Sequence, residues 1–253
     1  MYPHSFLWHY LWLAPRALQL VIAVIIIRRR LYNEFPCFLV YTIFQAVLQS
    51  VLFVLDHDPS ITWYQYRWAE SGGDGLSIVL RFAVIQEIFS IGFRSYPSLN
   101  HLGTVMFRWV AIVLVAVAVA VAFHTPGGDY APHIVAGLMV LDRAIAIVQC
   151  GLLLFLFLFS SYFGLSWRSY VFGIAAGLGI FSAVQLAIVS IRTQVLVESR
   201  LLLDFLPMIT YHCCVLIWLF YLLVPEPVPR AAPLVPTHDL ESWNRELQRL
   251  LQR

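Results

Sequence analysis

The chain has 253 residues, 60% of them hydrophobic and only 12% charged. A soluble domain carries about 25% charged residues, so a water-solvated globule of this size is excluded. The net charge is +2 and all sixteen basic residues are arginine. No basic tract is longer than Arg28-Arg29-Arg30, which leaves no nucleic-acid footprint.

The apolar excess is blocked into seven runs, each close to the roughly 20 residues that cross a bilayer core of about 30 Å. The expected fold is therefore an all-α bundle of seven transmembrane helices, residues 1–224. The first helix is expected from about Phe6 to Ile27. No basic residue precedes it, unlike a cleavable signal peptide, and the arginine triplet follows it, so it reads as a retained anchor. The second runs from about Pro36 to Leu55. A polar segment, Asp56 to Asp74, follows; its alternating Trp63, Tyr64, Tyr66 and Trp68 have a strand-like rhythm and suggest an aromatic belt lying on the membrane surface. The third helix is expected from about Gly75 to Phe93 and the fourth from about Thr104 to Phe123. His124-Thr-Pro-Gly-Gly-Asp129 reads as a turn. The fifth runs from about His133 to Ser160, the sixth from about Tyr170 to Ile191, and the seventh from about Leu201 to Val224. Gly173 and Gly177 on the sixth form a small-xxx-small pair suited to close helix packing.

A Pro-rich linker, residues 225–236, leads to a predicted amphipathic helix, residues 237–253. Leu240, Trp243, Leu247 and Leu250 share its apolar face. A helix this short is marginal alone in water, so it needs a surface: membrane lipid, the bundle's underside, or a cytoplasmic or membrane protein partner. Arginine placement sets the orientation. Arg28–Arg30, Arg94, Arg108, Arg168 and the tail arginines fall on one side. Asp56, Asp58, Glu70, Asp74, Asp129 and Glu198 fall on the other. The N-terminus is expected outside and the C-terminus in the cytoplasm.

Ionisable groups at membrane depth are costly and turn towards the bundle interior. Arg16, Arg81, Glu87, Asp142 and Arg143 are therefore the candidate ligand-pocket residues. His9, Arg16 and Gln19 share a face of the first helix, and Tyr41, Gln45 and Gln49 form a polar stripe on the second. At 1.5 Å per residue, Arg81 and Asp142 lie roughly 9 and 12 Å below the outer ends of their helices. Similar depth and opposite sign predict an interhelical pair. Candidates for acid/base chemistry are Glu87 and His212.

The absences narrow the chemistry. A retinal Schiff base needs a lysine, and there is none, so a light-sensing opsin of the usual kind is excluded. No cofactor is expected, and neither HExxH nor GxSxG occurs. Cys37, Cys150, Cys213 and Cys214 all fall in apolar runs, so no disulfide framework or metal site is expected. Trp8-His-Tyr-Leu-Trp-Leu-Ala-Pro-Arg16, the arginine triplet and Tyr32-Asn-Glu-Phe-Pro36 resemble seven-helix membrane proteins of soil bacteria such as acidobacteria. The likeness is best over the first two helices and looser over Glu87 to Arg108; it implies a habitat and no activity. The leading expectation is a non-enzymatic sensor-like or scaffold protein with a polar pocket in its outer half. The alternatives are a membrane enzyme or carrier for a lipid-like anionic substrate, and an accessory subunit of a membrane complex.

Overall fold

The computed structural model describes residues 6–92, 142–151, 168–192 and 200–224, with single positions between 105 and 120 and between 154 and 158. The predicted turn at 124–129, most of the predicted fourth span and the whole tail, with Leu240, Trp243, Leu247 and Leu250, lie outside the described residues. Those described are helical or in turns, with no strand among them.

Five helices are long and apolar enough to cross a membrane. They are α1 (Phe6–Arg28), α2 (Pro36–His57), α3 (Trp63–Gly92), α4 (Tyr170–Arg192) and α5 (Arg200–Leu223). Four of them match the hydropathy reading to within two residues at each end. The third does not: it begins at Trp63, twelve residues before Gly75. The aromatic segment read as a strand-like surface belt is helix. Its start is fixed by Thr62 and Gln65, spaced as in a capping box. The Thr62 N–H and hydroxyl both donate to Gln65 Oε1, each at 3.0 Å. The resulting helix has 30 residues, or about 45 Å, and outruns an apolar core of about 30 Å. Its polar first turns extend past the apolar spans.

Polarity is inverted relative to a soluble bundle. Val54 and Phe220 are 64% and 65% exposed, while Gln19, Thr42 and Ser182 are completely buried. Contiguous apolar exposure on this scale marks contact with lipid, and the chain is a multi-pass membrane protein. The helices run around the bundle in the order α3, α2, α1, α5, α4. Helical residues 142–151 close the gap between α3 and α4, where Ile145 packs on Ile78 and Ile85 and Gln149 accepts from the Ser182 hydroxyl.

The end carrying Arg28–Arg30 is sealed. Ile22, Phe38, Val84, Ile88, Ile174 and Trp218 form one core there. Trp218 meets Phe38, Tyr41 and Tyr211 edge-on, at 5.3, 6.4 and 6.2 Å between ring centroids. Its indole N–H donates to the Ile174 carbonyl at 3.3 Å. That approach needs glycine on α4, because a Cβ on Gly177 would run into the Trp218 ring and one on Gly173 into Tyr221. Arg29 ties three elements at this end: it donates to the Leu223 carbonyl at 3.1 Å and the Tyr170 hydroxyl at 3.4 Å. Between α1 and α2 the chain reverses through Arg30, held at φ 58°, and Pro36 occupies a first-turn position of α2 where its missing N–H costs nothing.

Gly177→Leu should overpack the α4–α5 contact and cost about 1–3 kcal/mol. A fall in the thermal midpoint of the detergent-solubilised protein, absent in Gly72→Ala where a Cβ meets open space, would register it. Equal midpoints for the two variants would refute the close contact.

Candidate functional site

The opposite, acidic end is open. A cleft enters between α1, α2, α3 and α5 as an upper chamber of about 630 Å³. It continues into a lower chamber of about 370 Å³. Arg16, Gln49, Arg67, Asp74 and Tyr211 line both, so the two are one space. From Asp56 to Tyr41 the cleft runs roughly 20 Å along α2.

Helical spacing explains its walls. On α1, Trp8, Trp12 and Arg16 recur at i, i+4 and i+8 and all line it. Pro15 lies inside α1 and deprives the Leu11 carbonyl of its helical donor, one turn above Arg16. On α2, Tyr41, Gln45 and Gln49 repeat the same spacing. On α3, Arg67, Glu70, Asp74, Ser77 and Arg81 follow at steps of three, four, three and four, the stripe of one helix face. Sequence reading missed the first three because it took them for loop. Once the helix is extended back to the Thr62–Gln65 cap, their spacing alone puts them beside Arg81.

The upper chamber is acidic and aromatic. Asp56, Asp58, Glu70 and Asp74 line it, with Trp63 and Tyr66. Ser60 donates to Asp58 from its hydroxyl at 2.6 Å and from its backbone N–H at 2.9 Å. These bonds hold the Asp58 carboxyl below the usual carboxylate range, so it remains a negative charge at neutral pH. Arg67 pairs with Glu70 at 2.7 Å.

Three arginines line the lower chamber: Arg67, shared with the upper one, and the deeper Arg16 and Arg81. Arg81, only 9% exposed, pairs with Asp142, the partner its depth predicted. Arg16 lies 4.7 Å from the Tyr211 ring centroid and donates to Gln19 Oε1 at 3.3 Å. Gln19 in turn donates to the Tyr211 hydroxyl at 2.5 Å. Three buried donors on residues of the two chambers have no hydrogen-bond partner among the described residues: Trp12 Nε1, Arg16 Nε and Arg81 Nε. An unmatched buried donor is expensive, by about 1–3 kcal/mol and more when charged.

The other sequence candidates fall elsewhere. Glu87 lines neither chamber. It receives the backbone N–H groups of Cys37 and Phe38 at 2.7 and 3.0 Å and so caps the first turn of α2, where orphan donors and the helix dipole favour a carboxylate. Arg143 is exposed on the side of its helix away from the cleft lining. One residue of helix turns a side chain by about 100°, and Asp142 took the inward position. His212 is half-buried beside the Tyr10 ring. His9 leaves the Arg16 face for α2, its Nε2 3.2 Å from that of His57. Among the described residues no three of His, Cys, Asp and Glu gather as a metal would require, and all four cysteines are unpaired thiols.

Comparison with protein-family models, with curated proteins and with solved structures finds no match to this chain.

The Glu87 cap gives a measurable expectation. Glu87→Ala should lower stability by about 1–2 kcal/mol, the scale of a lost N-terminal cap, with Glu87→Gln intermediate. Thermal melts in detergent would report this. An unchanged midpoint for Glu87→Ala would remove the capping role.

Proposed function

We propose that this chain is a seven-span, non-enzymatic, sensor-like protein of a bacterial cytoplasmic membrane. Its N-terminus is outside, its C-terminus is inside, and the polar cleft in its outer half receives a ligand bearing an anionic group. The observation that carries the reading is that Trp12, Arg16 and Arg81, residues lining one cleft, each keep a buried N–H donor with no hydrogen-bond partner among the described residues.

The span number rests on parity. Arg29, just past α1, bonds to Tyr170 at the start of α4 and to Leu223 at the end of α5. Glu87, near the end of α3, bonds to the start of α2. These five helix ends share one side. The described ends that residues 93–169 join, at α3 and α4, share that side, which supports an even number of crossings between them. The apolar runs 104–123 and 133–160 supply two. Arginines concentrate on the shared side and carboxylates on the other, which supports a cytoplasmic assignment for the former.

An enzyme or carrier of lipid-like anions would use the same arginines, but its acid/base candidates Glu87 and His212 are absent from the cleft walls. A binding role needs neither. A sensor also needs an output, and residues 237–253, with Leu240, Trp243, Leu247 and Leu250, are the segment proposed to meet a partner or the membrane.

Protein extracted from native membrane in mild detergent should carry a polar small molecule or lipid detectable by mass analysis. Arg16→Met/Arg81→Met, with its helical circular dichroism intact, should lose at least nine-tenths of it. Identical bound material in both proteins would refute the pocket. Deletion of Asp239–Arg253 should abolish recovery of co-purifying proteins while sparing ligand. Unchanged recovery of partners would remove the signalling role of the tail.

A further inference from the structure

Two opposite charges face the same void without touching. Arg16 and Asp74 each line both chambers. Among the described residues, the ion pairs are Arg67–Glu70 and Arg81–Asp142, and neither includes Arg16 or Asp74. Arg16 instead rests on Gln19 and the Tyr211 ring. The Arg16 guanidinium lies at membrane depth, where a charge demands a counter-charge, and Asp74 stands at the outer end of the apolar span above it. A simple anion would answer Arg16 and leave Asp74 facing it; a simple cation would do the reverse.

We propose that the cleft binds a small zwitterion, with its anionic group on Arg16, Arg81 and the Trp12 indole N–H and its ammonium group towards Asp74. This rests on the ligand-cleft reading above and names the class of ligand. Trp12 is 9% exposed, and its indole Nε1, like Nε of Arg16 and of Arg81, has no hydrogen-bond partner among the described residues, which is the need an anionic group would meet. The cationic end is built from different chemistry. Asp56, Asp58 and Glu70 add negative charge around the upper chamber, and Trp8, Trp63 and Tyr66 supply the ring faces that attract ammonium groups. Along α3, Asp74 and Arg81 are seven residues apart, about 10 Å of axial rise. Long side chains shorten that span to the reach of a compact zwitterion. The chambers, at about 630 and 370 Å³, are of small-molecule size. The same chemistry is presented by a free amino-acid-like solute and by the headgroup of a zwitterionic phospholipid.

The test uses the full chain in nanodiscs of phosphatidylglycerol, which carries no ammonium group. Isothermal titration would compare O-phosphoethanolamine and glycine with their one-charge counterparts methyl phosphate, acetate and ethylammonium. At least one zwitterion should bind tenfold or more tightly than every one-charge probe. Asp74→Asn should weaken it at least tenfold and Trp12→Phe at least threefold. Asp74→Asn keeps the shape of the side chain, Trp12→Phe keeps an aromatic ring while removing the indole N–H, and circular dichroism verifies the folding of both. Adding phosphatidylethanolamine to the nanodisc separates the sources. Loss of zwitterion binding identifies a lipid headgroup, and unchanged binding identifies a free solute. Equal affinities for methyl phosphate and O-phosphoethanolamine, with Asp74→Asn silent, would overturn the zwitterion and leave an anion cleft. Failure of every probe to bind folded protein, with no phosphatidylethanolamine enriched from mixed membrane, would overturn both readings.

Discussion

A guanidinium ion inside a bilayer cannot turn to water, so the fold must give it somewhere to go. Here Arg81 reaches Asp142 on a neighbouring helical segment, and Arg16 leans on Tyr211 and Gln19. These solutions draw α1, α3, α5 and residues 142–151 towards one axis. They also prevent the helices from closing fully there, since charged groups need polar space around them. The cleft is the consequence. Its walls repeat polar side chains at helical steps on α1, α2 and α3, while the opposite faces of the same helices are Val, Leu and Ile exposed outward.

The bundle is built differently at its two ends. At the arginine end the seal is apolar and tight: Trp218 against Gly177, with Phe38, Val84 and Ile88 around it. Two polar staples reinforce it without opening it. Glu87 satisfies orphan N–H groups of α2, and Arg29 satisfies an orphan carbonyl of α5. Both use a charged side chain to finish a helix end, where unmatched backbone groups are otherwise left. At the acidic end there is no such plug among the described residues, and α3 extends past the apolar spans to carry Tyr66, Arg67 and Glu70 to the mouth.

Much of this was legible from hydropathy. Four described helices were bounded closely because apolar runs end where arginine, proline or aspartate begins. The Arg81–Asp142 pair was legible because depth follows from a fixed rise per residue. The beginning of α3 was not. Gly72, Gly73 and Gly75 break the apolar run and argue for a loop, yet Gly73 makes room for Leu48 of α2, and the Thr62–Gln65 cap carries the signal that hydropathy ignores. Glu87 and Arg143 defeated the rule that membrane charges face inward. A carboxylate can be consumed by backbone at a helix end, and adjacent residues such as Asp142 and Arg143 cannot both face one axis. The acidic half of the cleft went unread for the same reason as α3 itself.

The asymmetry of the ends bears on what the cleft can do. A path through the bundle would have to continue below Arg16 and Arg81. The next layers down are Ile22 and Ile26 on α1, Val84 and Ile88 on α3, and Val215 and Trp218 on α5, all nearly inaccessible. Opening them would separate Trp218 from Phe38, Tyr41 and the Ile174 carbonyl at once, and would expose glycine-lined helix faces with nothing to replace the ring. Packed interiors of this kind shift between discrete arrangements and do not deform gradually. Arg16 lies over the Tyr211 ring, and Tyr211 meets Trp218 edge-on. The short route from cleft to sealed end is therefore two aromatic rings on α5, about two turns of helix apart. A blind cleft above such a contact suits the reporting of occupancy better than the passage of a solute.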